Sequence, residues 1–458
     1  MRNLIVLLIL IPNINLAQGL NRNWLLGYNP FPNFLNGRAL IDTNNFSIID
    51  EFRKMKFQGT QATISDSAGN MLMSSNGVWI ANANNDTMDN GSGLNPGYFV
   101  NSWPDGLVIS YGNILLPFPD NAQKYILYHQ TENDPDFPSN VLYQSIIDLT
   151  FNNGLGKVII KNDTILQDTL SWGIAACKHS NGRDWWVIIM KDSSDIAFTL
   201  LHTPQGVDTI FAQKLNFSSW PNGNVTQAAF SKDGKKFVTA TYDDIVTKNS
   251  SIIICDFNRC TGLFSNTIEI PVTAGAYLFG HCFSSTANFI YTTDAVNVFQ
   301  IDTQTLIIDT VATYDGFYSP HPWCCATTFW NMYLAANGKI YITTGSSTQH
   351  LHVINNPDSA GLACDVQQHS IDLINYLHLR AVPNHPNYYL GCDTTLGCGC
   401  ATAYNQYTMD ESKFNIYPNP NNGNFNIGYK AIATTSKLSV IDVNGKTILH
   451  TNFAALEQ

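Results

Sequence analysis

Two histidines, His350 and His352, stand two residues apart, a spacing that on a β-strand would project both rings from one side as metal ligands do. No carboxylate or third ligand accompanies them in the sequence, so the pair reads as structural and no metal is expected. Asp134-Pro135-Asp136 lacks the glycine and the distal glutamate of a calcium loop. Gly91-Ser92-Gly93 lacks the following helix that would let a glycine turn cradle phosphate, which disfavours nucleotides. Serines, histidines and carboxylates are present without a nucleophile elbow or a recognisable triad order. No catalytic residue and no cofactor is therefore assigned.

Aromatic residues make up 12% of the chain, enough for glycan stacking or for protein contacts. Trp185 and Trp186 must point to opposite faces of a strand, which places one of them in a core. The loop from Tyr314 to Cys325 carries two prolines together with Tyr318, His321 and Trp323, and these three are the candidate binding rim. The ten cysteines form an even set. Cys255 and Cys260 could close a local loop, Cys392, Cys398 and Cys400 could staple the end of the main domain to Cys364, and the vicinal Cys324-Cys325 pair is expected to bond elsewhere. Cys398-Gly399-Cys400 has one intervening residue where structural zinc sites have two to four, which argues against zinc.

The chain has 458 residues and a net charge of -11, and only 13% of its residues are charged. That balance opposes binding to nucleic acid or to an acidic membrane surface. The N-terminus runs Met1-Arg2-Asn3, then eight apolar residues Leu4 to Ile11, then Pro12 and a polar stretch to Ala17. A basic start, a short apolar core and a small residue describe a signal peptide over 1–17, too short to span a bilayer. No later apolar run reaches membrane length, so the mature chain is expected to lack a transmembrane segment.

These features must be positioned by a repeated element: a short apolar strand, a tight turn and a second strand rich in Tyr, Ile, Val, Phe or Trp. Six copies are visible, with turns at 69, 122, 182, 234, 287 and 338, spaced by 53, 60, 52, 53 and 51 residues. Asp233-Gly234 and Asn337-Gly338 fit two-residue hairpin turns. A period of about 54 residues corresponds to one four-stranded sheet, and such sheets packed radially form a β-propeller. Residues 18–59 and 381–396 amount to one further repeat, so the expected ring has about seven four-stranded blades. Its closing blade would be stitched from both ends by Trp24-Leu25-Leu26-Gly27 and Tyr388-Tyr389-Leu390. The expected domains are a propeller over 18–396, a linker over 397–412 and a small module over 413–458.

Several stretches, including Lys178 to Val187, Asp256 to Gly262, Leu351 to Pro357 and Val382-Pro383-Asn384-His385-Pro386-Asn387-Tyr388, resemble a broad group of secreted Bacteroidota propeller-like proteins. The last 45 residues resemble the first half of a type A sorting domain of the type IX secretion system. The residues that carry this likeness are Tyr417, Pro418, Asn419, Pro420 and Gly423, then Asp442 and Gly445. The prolines fix an extended approach and a turn, and Asn444-Gly445 closes a hairpin between apolar strands. The resemblance implies a partial Ig-like β-sandwich recognised by the type IX outer-membrane translocon, and a protein that is secreted or held at the outer-membrane surface after passing through the periplasm. Because the sequence stops after the first hairpin strands of that sandwich, a truncated product is expected. The expected activity is binding or adhesion to an extracellular glycan or protein; the alternative is a polysaccharide- or peptide-degrading enzyme on the same scaffold.

Overall fold

The computed structural model describes residues 18–28, 35–43, 45–132, 140–218, 227–242, 249–273, 277–320, 325–401, 414–417, 426–429, 435–441 and 447–454. The expected signal peptide lies outside them. The chain divides into two compact units, 1–400 and 401–458. Among the described residues the only α-helix is the five-residue turn Tyr98–Ser102, and no helix is long and apolar enough to cross a membrane.

The first unit is all-β and propeller-like. Its sheets comprise one of three strands, one of eight and four of four. The eight-stranded sheet and the four four-stranded sheets are the five blades of the arrangement. Within the eight-stranded sheet two four-stranded meanders, one starting at Ala62–Ser65 and the other at Asn113–Pro117, are joined by a parallel pairing of Asp89 with Lys157. The innermost strands of the remaining four sheets are Leu170–Lys178, Ala229–Phe230, His281–Phe283 and Phe329–Leu334. We call the ends at which these strands begin the upper face, and the ends at which they turn into the second strand the lower face.

Sheets stacked this way bury both of their faces, which explains the tryptophan pair. Trp185 and Trp186 are both buried, one in the layer toward the preceding sheet and one in the layer toward the following sheet. Each indole N–H has its own acceptor, the Pro117 carbonyl at 3.0 Å and the Arg259 carbonyl at 2.8 Å. Both are core, where the sequence suggests only one.

The lower-face turns also differ from the two-residue form. Gly69, Gly182, Gly234, Ala287 and Gly338 have positive φ, but Asp233 and Asn337 do not. In each turn that residue donates its N–H to the carbonyl three back, as Gly234 does to Ser231 at 2.8 Å and Gly338 to Ala335 at 3.0 Å. This is a type I turn followed by one left-handed residue, the longer hairpin connection in which only the last position needs glycine. In the remaining copy the left-handed residue is Asp120 rather than Ala122.

The circle is completed by the three-stranded sheet Asn23–Leu26, Asn36–Ile41 and Phe46–Glu51. Trp24 meets Tyr333 and Tyr341 of the last sheet edge-on at 5.8 and 6.1 Å, and Phe46 stacks on Tyr341 at 5.0 Å. On the other side Asn23 donates to Ser65 at 2.8 Å. Tyr388-Tyr389-Leu390 do not supply a strand to this sheet, contrary to the sequence-based expectation. Pro383 and Pro386 remove two donors just upstream, and a strand interior does not tolerate that.

That segment instead forms a strap along the propeller axis. Near the upper face Arg380 O accepts from Asn331 at 2.9 Å and Thr343 at 3.1 Å. Deeper, the Asn384 amide donates to the carbonyls of Ile174 at 2.7 Å and Asn113 at 3.1 Å. His385 lies 2.9 Å from both Thr63 O and the Tyr333 hydroxyl, so its Nε2–H donates to the carbonyl and its Nδ1 accepts from Tyr333. Toward the lower face Tyr388 donates to Leu115 O at 2.8 Å, Lys178 to Tyr388 O at 2.9 Å and Arg259 to Gly391 O at 2.8 Å. Disulfides Cys260–Cys398 and Cys392–Cys400 pin its end. The staple therefore goes to Cys260 and not to Cys364, which is free and buried, as is Cys255.

In the second unit the strands Phe414–Tyr417 and Asn426–Tyr429 pair antiparallel, as do Thr435–Ile441 and Thr447–Ala454. Tyr417 ends the first of these and is paired with Asn426. Pro418, Asn419, Pro420, Gly423, Asp442 and Gly445 lie outside the described residues.

Candidate functional site

The axial channel is closed by the chain itself. Tyr111 OH and the Gln227 amide donate to Met332 O at 2.8 and 3.3 Å, and Asn331 reaches Ser110 across the ring at 3.1 Å. What remains is a cavity of about 170 Å³ beside the strap, lined by Cys177, Gln227, Cys282, Tyr333, Asn384 and Tyr389 among others. Burial pushes the Cys177 and Cys282 thiols on its wall up to about 12 and the His385 ring down to about 4.

The upper mouth is different. Phe279 stacks on Trp330 at 3.5 Å between centroids, and the Arg380 guanidinium carbon sits 4.5 Å over the same indole. Phe279 is delivered by the approach to the inner strand His281–Phe283, Trp330 by the start of the neighbouring inner strand Phe329–Leu334, and Arg380 by the strap. Gly345 lets the stack form, since a Cβ there would meet the Trp330 ring at 2.7 Å. The indole Nε1–H is buried and has no acceptor. Among the described residues Arg380 donates only a long 3.4 Å bond from Nε to Gly345 O, and it makes no ion pair. Burial lowers its pKa with no carboxylate to offset that, although a guanidinium remains charged throughout.

Of the three rim candidates, Tyr318 is 65% exposed on the upper face, in the connection between two sheets, where its backbone bridges to Ala326. His321 and Trp323 lie outside the described residues. His350 and His352 share the strand His350–Ile354, and the fold adds His369, which accepts Phe317 in a 4.0 Å stack and contacts Asp315 at 2.8 Å. Even so, no group of three or more His, Cys, Asp or Glu among the described residues is placed to share a metal. Gly91 and Ser92 end the strand Thr87–Ser92, the next element after Gly93 is the short helix Tyr98–Ser102, and Asp134 to Asp136 lie outside the described residues.

Sequence reasoning missed Arg380 and Trp330 because neither belongs to a motif. Pro383-Asn384-His385-Pro386 was available as a signal: two prolines that bracket polar residues mark a segment that satisfies its partners through side chains.

Residues 415–458 match the family of secretion system C-terminal sorting domains. The chain therefore carries a type IX sorting tail and is a secreted or outer-membrane surface protein. No curated protein matches the chain. Among solved structures, a nidogen/laminin complex shares 10% identity over 79% of this chain and 97% of the other, with a TM-score of 0.37. The extracellular domain of a putative hybrid two-component system from B. thetaiotaomicron shares 13% over 78% of this chain and 36% of that one, with a TM-score of 0.39. A putative TolB from Agrobacterium tumefaciens shares 13% over 59% and 83%, with a TM-score of 0.32.

Proposed function

We propose that this is a binding or adhesion protein of the cell surface or medium, which holds an extracellular glycan or protein on the upper face of its propeller. The observation that carries the reading is the strap: with the axis filled by the chain's own residues, the loops around the upper mouth are left to meet a ligand. Tyr318, with His321 and Trp323 in the same loop, forms the rim. Residues 1–17 act as the signal peptide. The ring counts as seven blades, with the eight-stranded sheet taken as two and the three-stranded sheet as the closing one. The tail is an Ig-like sandwich read by the type IX translocon. A Bacteroidota source follows from that tail.

A glycan and protein array probed with the full mature chain tests this, alongside Tyr318→Ala and the lower-face control Lys235→Ala. Binding lost in Tyr318→Ala and kept in Lys235→Ala is expected. Loss only in the lower-face variant, or turnover of a polysaccharide or peptide in a hydrolase screen, would replace the reading.

A further inference from the structure

Two arginines of the first unit, Arg53 and Arg259, are buried and saturated, whereas Arg380 is half-buried over an indole. Arg53 donates to Met55 O at 3.1 Å, Leu26 O at 2.7 Å and Glu51 at 2.8 Å. Arg259 donates to Lys178 O and Gly391 O, both at 2.8 Å, and to His179 O at 3.3 Å. Arg380 has a single bond of 3.4 Å, and none is made by its two terminal nitrogens. A partly desolvated guanidinium without an acceptor is costly, and the chain has 35 acidic residues from which a partner could have been drawn. Among the described ones, none is placed beside it.

We propose that Arg380 and Trp330 form a carboxylate-binding site at the upper mouth, resting on the reading of that face as the binding surface. The guanidinium carbon lies 4.5 Å over the Trp330 indole, on which Phe279 also stacks, and its two terminal nitrogens, without a partner among the described residues, are left to offer a fork of N–H donors. That fork matches the two oxygens of a carboxylate. One cation also matches the single charge of a carboxylate better than the larger charge of a phosphate monoester. The idle Trp330 Nε1–H is a further donor beside it, able to reach the anion or a neighbouring hydroxyl after a small shift of the ring. The ligand class is a carboxylate-bearing molecule, either an acidic sugar or a simple organic acid.

Two matched pairs distinguish these sources: galacturonate against galactose, and glutarate against 1,5-pentanediol. Each is titrated into the full mature chain and followed by calorimetry and by the indole N–H resonances. At least one acid is expected to bind and to move a single indole signal, while its neutral counterpart does neither. Arg380→Gln should weaken that binding about tenfold or more, with Arg380→Lys in between. A thermal midpoint within a few degrees of wild type certifies that the variants are folded. If neither acid binds, or if Arg380→Gln binds them equally well, the inference is overturned. An array ligand lost in Tyr318→Ala but kept in Arg380→Gln would overturn this inference and leave the binding reading standing.

Discussion

Asn384 donates its amide to carbonyls from two different sheets at the axis, where it is 9% exposed. Asn384→Ala would leave those carbonyls unpaired, at a cost of about 1–3 kcal/mol. Asn384→Asp, nearly the same shape, would set a carboxylate against them and cost about 3–5 kcal/mol. Urea midpoints should therefore fall in the order wild type, Ala, Asp; an Asp variant as stable as wild type would remove the strap's anchoring role. The buried histidines add a pH dependence. Burial pushes His129, His281 and His352 down to about 3, and His202, His378 and His385 down to about 4. In the unfolded chain each titrates near its ordinary value of about 6.5. Below that pH the unfolded state binds protons that the folded state refuses. The stability is thus complete above about 6.5 and is lost as pH falls toward 4 and then 3, at up to about 1.4 kcal/mol per pH unit for each histidine. Urea midpoints measured from pH 7.5 to 4.5 should drop steadily, and a flat profile would contradict the burial of these rings as neutral groups.

At the level of strands, the first two of most sheets were legible because they are apolar on both sides and are joined by a turn with a left-handed residue. The outermost strands were not. Lys157–Gln167 and Gly206–Lys214 are mostly half-buried or exposed, so polar residues interrupt their apolar ones and no regular apolar period survives. By its apolar run Leu107-Val108-Ile109 reads as a strand. Leu107 and Ile109 are fully buried, yet the segment is a connection whose Leu107 carbonyl serves Gly59 and Thr60, and a three-residue apolar run cannot tell the two apart. At the site, Tyr318 was legible as an aromatic in a proline-bearing loop. Arg380 was not, because what distinguishes it is the absence of a partner, which only the assembled structure reveals. The junction of the first and last sheets, like those between the four-stranded sheets, depends on side chains rather than strand pairing. Trp24 is its centre, 1% exposed and in contact with Tyr333, Tyr341 and His378. Trp24→Ala should cost about 3–5 kcal/mol, read as a lower urea midpoint with an unchanged slope. An effect near zero would mean that the ring does not depend on this seam.

Over the whole first unit, the strap raises a question of order. A chain that runs along the axis of a ring from upper to lower face either was laid there while the ring was open or was pushed through it afterwards, and threading a chain through a closed loop is avoided in known folds. The packing favours the first route. Only about 170 Å³ is left beside the strap, and passage would break the cross-ring bonds of Tyr111, Gln227 and Asn331. The N-terminal sheet, by contrast, meets the last sheet through the packing of Trp24 and Phe46 and can swing in late. The ring should therefore close around the strap, with the sheet Asn23–Glu51 arriving last even though it is made first. Refolding tests this. The chain is reduced and unfolded in urea, with and without a cysteine-free domain fused to its C-terminus that stays folded under those conditions. Closure around the strap predicts equal refolding rates and amplitudes, because nothing has to pass through the channel. A fusion that blocks or greatly slows recovery would show that the C-terminal segment enters a ring already shut.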